Sequence, residues 1–176
     1  MPSSKRVEQA LAALEKDKSK ALGLALPKHA SIEPGQFVPR ADARSAPELF
    51  FPAGSAEKTY MVICLDLDAP FVSFPVLGPI NHWCQSGLRI SSAGGNGKLE
   101  TTDPFVVNYI GPGPPPGAAP HRYVFLLYEQ PANFDVKKHA PGKHVGAGGR
   151  MRFDLESWEA KIGLGEVVAA NYFKSN

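Results

Sequence analysis

Asp66 and Asp68, His82, and the pair His121 and Tyr123 each stand at or beside the end of an apolar run. Brought together, two carboxylates, two imidazoles and a phenol admit three kinds of chemistry. The first is an anion pocket. His82 and His121 donate as imidazolium, Tyr123 donates its hydroxyl, and a loop amide such as that of Gly113 completes the nest. Asp66 and Asp68 then orient the histidines and favour their charged form. The second is a zinc or iron site, although these residues lack the compact H-x-x-x-H or H-E-x-x-H spacing of a dedicated metal centre. The third is acid–base catalysis, for which a carboxylate beside a histidine is suited.

Each residue also has a plainer reading. Aspartates at a strand end before proline are common turn formers, and Pro70 follows two residues after Asp68. A histidine next to a tryptophan, as at His82-Trp83, is more often packed core than ligand. The H-R-Y triplet at 121–123 suits an edge strand. The basic residues Lys137, Lys138, His139, Lys143, His144 and Arg150 suit a solvated loop better than a phosphate patch. Two motifs are excluded. The Gly-Lys pair at 97–98 has Ser92 where a phosphate-cradling loop needs glycine, and Leu99 follows the lysine; no G-x-S-x-G elbow is present.

The elements that must position these residues are mostly strands. Thr59 to Leu65 is a continuous apolar run, the pattern of a buried strand, and Ile80 to Cys84 is a shorter extended run. Val106, Val107, Tyr109 and Ile110 suit a strand, as do Tyr123 to Tyr128. Between them lies a loop stiffened by Pro112, Pro114, Pro115, Pro116 and Pro120, with Gly111, Gly113 and Gly117 allowing close backbone approach. Gln36 to Val38 and Leu49 to Phe51 are extended candidates in a proline-punctuated region, and Val167 to Phe173 is strand-like. Helical spacing of Val7, Ala10, Leu11, Leu14, Ala21 and Leu22 predicts an amphipathic helix over about 5–21, capped by Ser3 or Ser4. Asp154 caps a second helix, Leu155 to Ile162, which Gly163 ends.

Composition narrows the function classes. A chain of 176 residues with 43% hydrophobic and 20% charged residues suits one globular domain. A formal charge of +2 gives no general electrostatic case for nucleic acid. No apolar run approaches the roughly 18 residues of a membrane span, and acids interrupt the first 26 residues where a signal peptide would be apolar. The expected location is cytoplasmic, with Cys64 and Cys84 as buried thiols.

Three blocks carry a resemblance: D-L-D-A-P at 66–70, I-N-H-W at 80–83 and Y-I-G-P-G-P-P-P-G-A-A-P-H-R-Y-V-F-L-L-Y at 109–128. Together they resemble the phosphatidylethanolamine-binding protein family, also known as the Raf kinase inhibitor proteins. The resemblance extends over roughly residues 20 to 173, and the R-F-D-L and V-A-A-N-Y-F segments near the end look like fungal or yeast-type members. It implies a mainly β fold, an antiparallel β-sandwich with an N-terminal helix (1–22) against a single domain (23–176). It also implies a pocket for phosphate, phosphorylethanolamine or acetate-like anions, containing Asp66, Asp68, Pro70, His82, Gly113, His121 and Tyr123. There are departures. Leu67 stands where the family box has proline, which implies a looser turn behind the carboxylates. Asn81 precedes His82, and residues 71–79 form a longer, more apolar loop than many members have, which points to an altered pocket mouth.

The expectation is a protein that binds a phospholipid head group or other small anion, without cofactor or metal, and regulates or inhibits a kinase or a serine carboxypeptidase. The alternative is an isomerase- or lyase-type enzyme acting on a small metabolite in the same pocket.

Overall fold

A computed structural model describes residues 5–92 and 95–176. The described elements, in order, are α1 (Lys5–Lys16), β1 (Gly23–Ala25), β2 (Glu48–Phe50), β3 (Tyr60–Asp66), β4 (Ile80–Ile90), β5 (Lys98–Glu100), β6 (Phe105–Val107), β7 (His121–Glu129), α2 (Val136–His139), α3 (Leu155–Ile162) and β8 (Val167–Ser175). The strands join in the order β1-β2-β5-β4-β3-β7-β8, with β6 also paired to β4, and every strand pairing is antiparallel. The sheet nearly closes on itself. The Leu22 amide donates to the Ala170 carbonyl on β8 at 2.9 Å, and one residue later the chain enters β1 at the other end of the strand order.

β3 from Tyr60 to Leu65 and β7 from Tyr123 to Tyr128 are apolar runs because both of their faces are covered. Along β3, Tyr60, Val62 and Cys64 enter one core with Trp83, Phe125, Leu127 and Phe173. Met61, Ile63 and Leu65 enter the other, with Val124, Leu126 and Tyr128, beneath α1 and α3. Burying each of the larger side chains contributes about 1.5–3 kcal/mol, so the continuous runs 60–65 and 123–128 are where the fold is anchored. Glu159 of α3 ties the outer layer together. It is buried, accepts from the Tyr128 hydroxyl at 2.8 Å and from Arg6 Nε of α1 at 3.3 Å.

The helix expected over 5–21 ends at Lys16. Asp17 has an extended backbone, and its carboxylate accepts from the Ser19 amide at 2.9 Å and the Ser19 hydroxyl at 2.7 Å, starting a separate 3-10 turn over Lys18–Lys20. A side chain that caps the following turn competes with continued helix. The expected caps, Ser3 and Ser4, lie outside the described residues. The second helix is as expected: the Asp154 carboxylate accepts from the Ser157 amide, and Gly163 closes the helix with φ 73°.

β4 is longer than its apolar signal, because Gln85, Ser86 and Gly87 carry it onward to β5. It bends at Gly87, whose φ is 71° and whose missing Cβ would fall 2.1 Å from the Asp103 carboxylate. β6, by contrast, stops at Val107 and pairs with β4, so the proline-rich loop does not join two neighbouring strands.

Candidate functional site

The site lies where β3, β4 and β7 end together. Asp66, the last residue of β3, is opposite Ile80 of β4 and Tyr123 of β7. Its Oδ1 accepts from the Asp68 amide at 2.9 Å, an Asx turn that takes the chain out of the sheet. Its Oδ2 accepts from His121 Nδ1 at 2.9 Å and lies 3.9 Å from His82 Nε2. Strand alternation does not continue to Asp68, whose carboxylate docks instead on Arg122. Oδ2 accepts from the Arg122 amide at 2.8 Å and Nε at 2.9 Å, and Oδ1 accepts from Nη2 at 2.7 Å. Burial opposes that charge, but the Arg122 hydrogen bonds outweigh it and hold Asp68 below the ordinary carboxylate range.

His82 reaches the site through a β-bulge. Cys64 pairs with Trp83 and Leu65 with Asn81, so His82 is the extra residue in β4. Such a bulge re-aims the side chain it carries. Its Nδ1 is 2.9 Å from the Ile110 carbonyl, and its ring stands edge-on to Tyr123 at 5.0 Å. A carbonyl only accepts, so Nδ1 carries the proton and Nε2 keeps its lone pair. Burial is the largest influence on His82 and pushes its pKa below the usual histidine value, against the Ile110 carbonyl and Asp66.

His121 is held differently. Nδ1 faces the Asp66 carboxylate, and Nε2 is 3.1 Å from the Pro70 carbonyl. Both partners are acceptors, so both nitrogens are satisfied only in the imidazolium form. Burial works against the charge, but Asp66, Asp68 and Pro70 outweigh it and raise the pKa. His121 departs from the expectation of an imidazolium donor aimed at an anion, because it spends both N–H groups on the protein, while burial disfavours charge on His82.

Tyr123 is buried, with its ring stacked on Phe173 at 5.5 Å. Its hydroxyl accepts a long bond, 3.4 Å, from the Gly113 amide, and burial pushes the phenol up so that it stays neutral. The loop glycines differ in purpose. A Cβ at Gly111 would lie 2.7 Å from the Ala43 carbonyl, whereas one at Gly113 would meet nothing within 4 Å. Gly113 thus leaves open space beside the site rather than relieving strain.

These groups surround a cavity of about 290 Å³. Asp66, His82, His121 and Arg150 form its polar part, with Pro70 and Gly113 on its wall; Asp68 and Tyr123 do not line it. The apolar share comes from Leu77, Ile80, Ile110, Pro115 and Met151. The 71–79 loop, whose Leu77 lines the cavity, exposes Phe71, Val72, Phe74 and Val76, while Leu67 packs on the second core. A larger concavity of about 1110 Å³ lies toward the far end of β4, but its lysines are already paired, Lys58 with Glu129 and Lys98 with Glu48.

Arg150 is the wall residue that sequence reasoning missed. Lys137, Lys138, Lys143 and His144 are exposed, as a solvated loop requires, but Arg150 is only 2% exposed. Residues 150–153 run beside the start of β4: the Asn81 amide donates to the Arg150 carbonyl, and the Phe153 amide to Pro79. An arginine amid glycines carries no periodic signal that separates it from its solvated neighbours.

The model of the phosphatidylethanolamine-binding protein family matches residues 21–173, and the chain belongs to that family. Phomoidride biosynthesis cluster protein N of Talaromyces stipitatus is 29% identical, over 86% of this chain and 82% of its own. The carboxypeptidase Y inhibitor of Saccharomyces cerevisiae is 26% identical, over 82% of this chain and 78% of its own. Among solved structures, that of carboxypeptidase Y inhibitor complexed with the cognate proteinase superposes with a TM-score of 0.73 at 24% identity, covering 97% of this chain and 93% of that one. At that identity the likeness speaks for the fold.

Proposed function

We propose that the protein binds a small anionic group, of the phosphate or phospholipid head-group kind, in the Asp66–His82–His121 cavity and acts as a regulatory or inhibitory protein. The observation that carries this reading is the cavity itself, with buried polar side chains and an apolar lining, in a chain of a binding-protein family. A serine carboxypeptidase is the partner class with most support, because a relative matching most of the chain is named a carboxypeptidase Y inhibitor. Two assays test the proposal: calorimetric titration with dimethyl phosphate, and inhibition of a purified serine carboxypeptidase. Absence of both binding and inhibition would overturn it.

A second reading has its own support. His82 keeps an unprotonated Nε2 beside a carboxylate in a partly apolar cavity, the arrangement of a general base, and one relative is named for a biosynthesis cluster. On this reading the protein is an enzyme acting on a small metabolite. Mass spectrometry of molecules that co-purify with the native protein separates the two: a phospholipid favours the binder, a pathway metabolite the enzyme.

A further inference from the structure

We infer that Arg150 is the group that holds the anion in this cavity, and that the site selects small organic ions bearing one negative charge on an apolar stem. The inference rests on the anion-pocket reading above and narrows it.

A guanidinium has five N–H donors. Arg150 spends four of them on neutral oxygens: Nε on Val145 O at 2.8 Å, Nη1 on Asn81 O at 3.1 Å and Asn108 O at 2.9 Å, and Nη2 on Asn108 Oδ1 at 2.6 Å. No carboxylate among the described residues forms an ion pair with it. A buried charge is ordinarily paired, because taking it out of water unpaired is costly. Here the side chain is buried, fixed by four hydrogen bonds, lines the cavity, and has one Nη2 N–H left over.

Charge balance in the site points the same way. His121 cancels Asp66, Arg122 cancels Asp68, and His82 is neutral. The guanidinium remains as the uncancelled charge on the wall, a complement for one negative charge. At neutral pH, with His82 uncharged, a second would find no further cation and would face Asp66. Leu77, Ile80, Ile110, Pro115 and Met151 supply the rest of the lining, suited to a short hydrocarbon stem. A cavity of about 290 Å³ corresponds to the volume of roughly ten water molecules, enough for a head and a stem of a few carbons.

The test compares ligands of one size and different charge on the wild-type protein at neutral pH: hexanoate, its neutral amide hexanamide, the dianion adipate, and diethyl phosphate as the phosphodiester. Arg150 is followed by its side-chain ¹⁵N resonances, assigned with the Arg150→Lys variant. Hexanoate or diethyl phosphate should bind at least tenfold more tightly than hexanamide and adipate, and should shift the Arg150 resonances. Whichever of the two binds better identifies the head group. Arg150→Lys should lose at least tenfold in affinity. If that variant folds poorly, the Arg150 side-chain resonances are assigned in the wild type by through-bond correlation from its own backbone amide, and the wild-type spectra still decide. If anions bind while the Arg150 resonances stay still, or adipate binds as well as hexanoate, the inference fails and the anion pocket survives. If no anion binds, both fail.

Discussion

The Nε2 atom of His82 lies 3.9 Å from Oδ2 of Asp66, and the same oxygen accepts the Nδ1 proton of His121 at 2.9 Å. One carboxylate thus serves two imidazoles in opposite states. His121 is charged by its contacts, and His82 is kept neutral chiefly by burial.

Anion binding should therefore be pH-dependent through His82. A bound anion favours its protonated form, so binding takes up a proton. Affinity rises as the pH falls through the bound-state pKa. It levels off once free His82 is itself protonated, below its reference of about 6.5. The slope cannot exceed about tenfold per pH unit. Calorimetry with dimethyl phosphate, which does not titrate between pH 8 and 5, should give this trend for the wild type and a flat profile for His82→Gln. A flat wild-type profile would mean that His82 takes no proton on binding.

The Asp68–Arg122 pair should be a matter of stability. Arg122→Met leaves Asp68 buried without its partner. Such losses cost about 3–5 kcal/mol, and because the Arg122 side chain is 43% exposed while that of Asp68 is 2% exposed, the low end is expected. Urea unfolding at neutral pH measures this directly. The pair's contribution is present above the unfolded carboxylate value of about 3.9 and is lost as the pH falls through the lower folded value. The mutant's deficit should accordingly shrink in acid. A deficit that does not change down to pH 2 would show that the charge of Asp68 is not what Arg122 stabilises.

Gly113→Val separates ligand space from folding. A Cβ there meets nothing within 4 Å, and the position is not among those with positive φ, so the melting temperature should stay within a degree or two. The added side chain would occupy cavity space and should weaken anion binding at least tenfold. Unchanged affinity would move the ligand away from this wall.

Burial makes both cysteines poor nucleophiles. It pushes the Cys84 thiol up to about 12 and Cys64 well above the ordinary thiol value, the latter with help from Asp66. Ellman's reagent at pH 8 should find no reactive thiol in the native protein and two in urea. Rapid labelling of the native protein would contradict this packing.

Much of the scaffold was legible in the sequence because its signals are local. Continuous apolar runs marked β3 and β7, and Asp154 with Gly163 marked both ends of α3. The early end of α1 was not, since whether Asp17 continues the helix or caps the next turn depends on a single backbone torsion pair. In the site, residue identities could be read but roles could not. Asp68 turns to Arg122 because β3 ends two residues earlier, and His82 faces the cavity through a bulge that leaves no mark in the pattern. The states of the two histidines depend on the carbonyls of Ile110 and Pro70, and a sequence motif does not encode which backbone oxygen a ring will meet.

The exposed loop beside the cavity has an evolutionary consequence. Asp66, His82 and His121 make none of their hydrogen bonds to residues 71–77; their partners lie on strands, in the turn at 68–70, or at Ile110. Phe71, Val72, Phe74 and Val76 can therefore drift or be exchanged as a cassette without disturbing the charged floor. A scaffold divided in this way is retargeted cheaply. Contacts beyond the cavity change by loop replacement, while selection for folding acts on the strands, and grafting this loop onto a relative should transfer those contacts while the charge preference stays with Arg150.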